Sequence, residues 1–299
     1  MSERCSERSC ALGEPIAGSA VARTAVWIVL EHRGPWGAKA VPESDLPDAV
    51  KARLMEWQAT ISGARVQLVR RSGRCEGPLR FWLGVSDVAG PRLVTQILES
   101  HEALLQMDLE ARVTELRAGR IPADATEVTA PLLLVCTNGR RDVCCSKLGV
   151  PVMQALEGVE GVDVWQTTHL GGHRFAATLL QLPAGLCYGR LEPEDAPGLA
   201  LAAVEGTVHR LDRLRGRTSL HAAEQAAESI WRARTGRLET NALAGAEHTE
   251  HDGHVVVTLR DREGERHEVR VEHRELGPSA PRSCGKPPAP VAGWSLARA

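Results

Sequence analysis

The chain has 299 residues, 43% hydrophobic and 25% charged, with a formal net charge of −2. That is enough apolar material for two ordinary domains or one large one, and it excludes a disordered chain. Near-neutral charge and 3% aromatic content argue against nucleic-acid binding by bulk electrostatics or base stacking, and no run of about 18 apolar residues offers a membrane-spanning helix, so neither nucleic acid nor membrane is expected as a partner.

Residues 1–20, beginning MSERCSERSC, lack the apolar stretch of a signal peptide and read as a disordered polar tail. A cytoplasmic location follows. In that reducing setting the eight cysteines are metal ligands, buried apolar groups or redox thiols rather than structural disulfides. Thr24–His32 is β-branched and short, a strand, and Gly34-Pro35-Trp36-Gly37 breaks it. Asp45–Ser62 carries Leu46, Val50, Leu54 and Trp57 on one helical stripe, with Pro47 in the first turn. Ala64–Arg70 and Leu79–Val85 are further strands, and Leu93–Leu116 reads as a helix. This β-α-β-β-α order is the skeleton of a thioredoxin-like unit, placed at residues 21–122.

After a polar linker at Arg120 the pattern starts again. Pro131–Val135 is a strand, Ser146–Glu157 a helix and Val162–Gln166 a strand. Ala176–Leu182 and Gly185–Arg190 form a hairpin, and Glu194–Leu211 and Ser219–Arg234 are helices. A second thioredoxin-like unit is placed at residues 128–236. In residues 237–299, His254–Asp261 and Arg266–His273 form a β-hairpin, followed by a proline-rich extended strap. Two strands alone are marginally stable, so this hairpin must pack on a domain or extend a sheet. The fold class is therefore α/β: tandem thioredoxin-like domains of mixed sheets with flanking helices, plus a C-terminal β-hairpin extension.

Two short segments carry chemistry. Cys136 closes an apolar strand, at the end where α/β sheets place functional groups. Cys145 follows after eight residues, at a predicted helix start, where the dipole and free N–H groups favour thiolate. His169 and His173 flank Leu170-Gly171-Gly172. Each glycine costs about 0.8–1 kcal/mol inside a helix, which argues against a helical HxxxH zinc pair. A glycine loop instead lets backbone N–H groups approach cluster sulfides. Two thiolates and two imidazoles can close either a zinc site or an iron–sulfur cluster. Zinc fingers prefer two to four residues between cysteines, so the wide loop through Arg140, Arg141 and Asp142 suits a two-metal object better. Arg140, Arg141 and Arg174 are candidates to offset cluster charge or dock an acidic partner, with ordinary surface arginine as the plain alternative. Cys5 and Cys10 lie in the tail, and Cys75, Cys187 and Cys284 read as structural or incidental.

The strings CTNGRRDVCC (136–145), VWQTTHLGGHRFAATLLQLPAGLCYGRL (164–191) and LEHRGPWG (30–37) resemble the sucrase/ferredoxin-like family of thioredoxin-fold [2Fe–2S] proteins. The resemblance runs over roughly residues 10–235, with SCGK at 283–286 as a weaker echo. It implies a [2Fe–2S] cluster in the second unit. The family's two cysteines map onto Cys136 and Cys145, with the adjacent Cys144 as an alternative ligand, and its HxxxH pair maps onto His169 and His173.

Imidazoles in place of thiolates make a cluster less negative. In Rieske centres potentials run from roughly −150 to +300 mV, against about −400 mV for all-cysteine plant-type clusters. A potential above the all-cysteine value is expected, and one that depends on pH through a ligand imidazole. No G-x-G-x-x-G fingerprint is present. The chain therefore reads as a one-electron carrier rather than a self-sufficient enzyme. It would serve a partner reductase, expected to be flavin-dependent, and an acceptor of unspecified kind. The alternatives are a zinc-stabilised interaction module and a thiol redox protein using the vicinal Cys144-Cys145 pair. No glycosidase activity is expected, because Glu192, Glu194 and Asp195 fit the solvated first turn of a helix.

Overall fold

The structure, a computed structural model, describes residues 4–73 and 76–298; Cys75 lies outside them. The expected polar tail holds a helix, α1 (Cys5–Ala11), whose Cys5 and Ser9 are buried. Its reason is tertiary, since seven residues are too few for a stable isolated helix. β1 (Val26–Glu31) is buried along its whole length, as a continuous apolar run requires in a sheet covered on both faces. α2 (Asp48–Thr60) buries Val50, Leu54 and Trp57, one helical stripe, against β2 (Ala64–Arg70).

β3 (Leu79–Val85) is followed by another strand rather than the helix the sequence suggests. β4 (Arg92–Leu98) pairs with β3 along its full length, from Leu79↔Leu98 to Val85↔Arg92. Helical sequence resumes only at a 3₁₀ turn (His101–Gln106) and α3 (Leu109–Arg117). Val94 and Thr95 are β-branched, and the exposed edge of β3 supplies the pairing that overrides local helix preference. A two-residue strand, β5 (Thr126–Glu127), covers the outer edge of β4.

The second unit repeats this plan. β6 (Leu132–Cys136) leads through α4 (Val143–Leu156) to a parallel neighbour, β7 (Asp163–Thr167). β8 (Leu179–Leu182) and β9 (Leu186–Tyr188) return antiparallel, and α5 (Ala196–Glu205) follows. β10 (Leu214–Arg217) covers the outer edge of β9. This strand had no sequence signal, because LRGR shows no apolar alternation. The two units have the matching orders β2-β1-β3-β4 and β7-β6-β8-β9, each with a parallel first pair and an antiparallel return. They are two thioredoxin-like units fused edge to edge into one ten-stranded sheet.

The fusion is the antiparallel pairing of β2 with β7, Val69↔Thr167 and Arg70↔Gln166. Buried side chains reinforce it. The Thr167 and Thr168 hydroxyls donate to Gln67 Oε1 at 3.1 and 3.0 Å, and Leu68 N donates to Thr168 Oγ1 at 3.2 Å.

α6 (Ala222–Thr235) carries the C-terminal region. The expected hairpin is part of a four-stranded antiparallel meander: β11 (Leu243–His251), β12 (His254–Asp261), β13 (Arg266–Pro281) and β14 (Pro288–Leu296). Val257, Leu259, Val269 and Val271 pack on Ala223, Ala227 and Trp231 of α6. β13 is much longer than a hairpin strand needs, and it carries the β13–β14 turn to the far side of the second unit.

A buried ion triad fixes α6 to the main sheet. Glu228 Oε1 accepts from Arg217 at 3.1 Å and from Arg232 at 2.9 Å, and all three side chains are essentially inaccessible. Arg217 also donates to Ala184 O and Thr240 O, and Arg232 to Arg237 O and Glu239 O. Burial pushes the Glu228 carboxyl up, but the two guanidiniums outweigh it and hold the group below the usual carboxylate range. A carboxyl with a lowered folded value contributes stability above its unfolded value and loses it as pH falls. Glu228→Gln, which leaves two buried cations without a counter-charge, is expected to cost about 3–5 kcal/mol in denaturant unfolding at pH 7. The gap from wild type should shrink below about pH 4, as wild-type Glu228 takes up a proton.

Candidate metal centre

Cys136 ends β6 beside the parallel β7, and the chain turns through residues 137–142 into α4. Asp142 is the N-cap of α4, its Oδ1 accepting from Cys144 N at 3.0 Å. Gly149 lets α4 approach β6 closely, since a Cβ there would collide with the Cys136 carbonyl oxygen. The first turn of α4 therefore sets the fully buried Cys145 beside Cys136.

His169 follows β7, its Nδ1 3.9 Å from Cys136 Sγ and 3.5 Å from Cys145 Sγ. Arg65 Nη2 donates to the His169 carbonyl at 2.9 Å. Gly171 and Gly172 have φ of +93° and +67°, a left-handed pair that only glycine adopts without strain. The buried Arg215 guanidinium occupies the place a Gly172 side chain would take, and its Nη1 donates to Gly171 O at 2.9 Å. His173 then starts a 3₁₀ turn (His173–Phe175), with Nδ1 3.4 Å from His169 Nε2. Its Nε2 donates to the Arg282 carbonyl at 2.8 Å. That bond places the imidazole proton on Nε2 and leaves the Nδ1 lone pair facing His169.

The structure thus brings the donor atoms of Cys136, Cys145 and His169 within 4.8 Å of one another, the sulfurs buried and His169 half-buried, while His173 stands behind them with its Nδ1 facing His169. The Cys136 thiol is held well below its usual range by the Cys145 hydrogen bond and by His169, against the burial that opposes ionisation. The hydrogen bond with Cys136, with burial, in turn pushes Cys145 up. One thiolate shared between two sulfurs, beside imidazole nitrogens, is a donor set suited to a borderline or soft metal.

Other residues divide. Arg140 and Arg141 are exposed. Arg174 is tied to the buried Glu14 at 2.6 Å, so its charge is already paired. An open cavity of about 570 Å³ reaches His169 and is lined also by Lys39, Arg65, Arg141 and Thr168. Asn138 donates to Gly37 O at 3.2 Å, linking the cysteine loop to the GPWG segment of the first unit.

The structure does not bring Cys144 to His169. Its side chain points to the opposite side of the α4 turn, where Sγ lies 3.6 Å from Cys5 Sγ and 3.3 Å from Cys284 Sγ. Cys5 and Cys284, read from sequence as incidental, are 3.5 Å apart in the same cluster. The SCGK echo at 283–286 was the one available signal for Cys284. For Cys5 there was none, because nothing local reveals that α1 folds back on the second unit.

A sequence profile of the sucrase/ferredoxin-like family matches residues 17–216. Among curated relatives, the protein called altered inheritance of mitochondria protein 32 from Meyerozyma guilliermondii is 28% identical over 115 residues, covering 35% of this chain and 41% of the relative. Its counterpart from Debaryomyces hansenii is 30% identical over 91 residues, covering 27% and 33%. The chain thus spans under half the length of the curated relatives it matches. A cysteine-to-serine variant of the thioredoxin-like [2Fe–2S] ferredoxin from Aquifex aeolicus overlaps 28% of this chain and 96% of its own, at 18% identity and a TM-score of 0.26. At that score the thioredoxin-like assignment rests on the strand order instead. Among the described residues no helix is long and apolar enough to cross a membrane. With two-thirds of its length inside the profile, the chain belongs to the sucrase/ferredoxin-like family.

Gly149→Ala tests the close approach that aligns the two cysteines. The added methyl has no room against the Cys136 carbonyl, so overpacking should cost about 1–3 kcal/mol. It should also lower the metal content of the purified protein. Urea denaturation and metal analysis check both, and an unchanged midpoint would show that α4 does not need this contact.

Proposed function

We propose that this member of the family is a one-electron carrier whose [2Fe–2S] cluster is held by Cys136, Cys145, His169 and His173. The observation that carries the proposal is the convergence of the Cys136, Cys145 and His169 donor atoms from three segments at the C-terminal end of the β6–β7 pair, with His173 3.4 Å from His169. When bound, such a cluster supplies reversible exchange of a single electron at modest reorganisation cost. Cys136 and Cys145 anchor it from inside the core, where the α4 N-terminus favours thiolate. His173 is oriented by the Arg282 carbonyl, and the Nε2 proton held there is the candidate for proton coupling.

The sulfurs are shielded, whereas His169 reaches the open cavity. Electrons would therefore enter and leave on the imidazole side. Among the described residues the cavity rim carries Lys39, Arg65 and Arg141 and no carboxylate, which suits a docking partner with an acidic contact surface. We assign that role to a reductase, flavin-dependent because this chain has no nucleotide fingerprint of its own, and to an acceptor that uses the same face. All seven described cysteines are free thiols, in keeping with a reducing, cytoplasmic setting.

Substitution separates the ligands. Cys145→Ser is expected to lose iron and visible absorption, while Cys144→Ser keeps both. His169→Cys should keep the colour but lower the reduction potential by on the order of 100 mV or more, toward the all-cysteine range. Colour that survives Cys145→Ser, or a potential unmoved by His169→Cys, would remove those residues from the ligand set.

A further inference from the structure

Three thiols far apart in the chain meet behind the candidate cluster site. Cys5 opens α1, Cys144 lies in the first turn of α4, and Cys284 sits in the β13–β14 turn. Their sulfurs are 3.3, 3.5 and 3.6 Å apart. These separations are far beyond a disulfide bond of about 2.05 Å, and all three are free thiols. They come within about 0.5 Å of the roughly 3.8 Å between sulfurs set tetrahedrally around one ion with metal–sulfur bonds of about 2.3 Å. A fourth donor is present: the Asp142 carboxylate lies within 4.8 Å of all three sulfurs, with Oδ1 4.0 Å from Cys5 Sγ.

We propose that Cys5, Cys144 and Cys284, with the Asp142 carboxylate, form a second metal site that takes one thiophilic divalent ion of the zinc class. It is separate from the site of Cys136, Cys145, His169 and His173 and does not depend on what that site holds. The surroundings are built for thiolate. Ser6 Oγ donates to Cys144 Sγ at 3.3 Å, and Cys144 sits at the positive end of α4. Metal binding would displace the remaining thiol protons to solvent and let a dication offset the carboxylate and thiolate charges.

Four small donors with no open position describe a structural site rather than a catalytic one. Its effect would be mechanical. It would clamp α1 and the β13–β14 turn, two segments far apart in sequence, onto the start of α4. Arg282, which orients His173, is two residues from Cys284, so the clamp also holds the backbone carbonyl behind the imidazole.

The test is metal analysis of full-length protein purified from zinc-replete cells, with iron and zinc counted separately. One zinc per chain is expected, and it should be lost in Cys5→Ser and in Cys284→Ser while iron is retained. The loss should exceed the roughly tenfold in affinity that removing a supporting hydrogen bond costs a metal site. Because these variants can also misfold, the wild type gives a second readout. Iodoacetamide labelling read by mass spectrometry should find Cys5, Cys144 and Cys284 protected together, and labelled together once a strong chelator removes zinc. The exposed Cys10 should react throughout. Zinc that leaves only with Cys136→Ser, a labelling pattern the chelator does not change, or a disulfide among the three thiols in place of zinc would each overturn the proposal.

Discussion

The site depends on one carboxylate. Asp142 caps α4 through Oδ1, and its Oδ2 accepts from the Ser283 hydroxyl at 3.0 Å and from Cys284 N at 2.9 Å, while lying 3.6 Å from His173 Nε2. Burial raises a carboxyl, yet here the backbone donors of Cys144 and Cys284 pull Asp142 down to about 2. It is therefore a fixed anion at neutral pH. From that one group follow the start of α4, the opposed directions of Cys144 and Cys145, and the seating of the C-terminal turn against His173. A residue without a side-chain acceptor there, such as alanine, would leave the half-buried Cys284 N–H without this partner.

The two thioredoxin-like units have different duties within one sheet. The second supplies the convergent Cys136, Cys145 and His169, with His173 beside His169. The first supplies the β2 edge that pairs with β7, the Arg65 contact on the His169 carbonyl and the Gly37 contact on Asn138. It is thus a wall of the same site rather than a separate module. The family match covers 17–216, and the elements that close the site from behind, α1 and the β13–β14 turn, fall outside it. The shared body builds the donor set, and the chain's two ends cover it.

Much of this was legible in the sequence, for reasons specific to each element. Val26–Glu31 and Leu132–Cys136 were plain strands because buried runs of apolar residues have few other homes. The proximity of Cys136, Cys145 and His169 was legible because each stands beside a strand end or a helix start. Leu93–Leu98 was misread as helix, since its pattern fits either period and only pairing with β3 decides. β10 could not be seen because its buried arginines, Arg215 and Arg217, look like surface residues until Gly171, Ala184 and Glu228 are known to face them. The three-thiol cluster joins positions 5, 144 and 284, and no local rule connects residues so far apart.

The most direct measurement is the absorption and EPR spectrum of protein purified without oxygen, oxidised and then reduced with dithionite, with iron counted on the same sample. The account predicts visible bands, two irons per chain and a rhombic signal of low average g, the mark of imidazole-ligated [2Fe–2S]. A colourless protein without iron, with zinc at Cys136 and Cys145, would contradict it and leave a metal-stabilised binding module in place of an electron carrier.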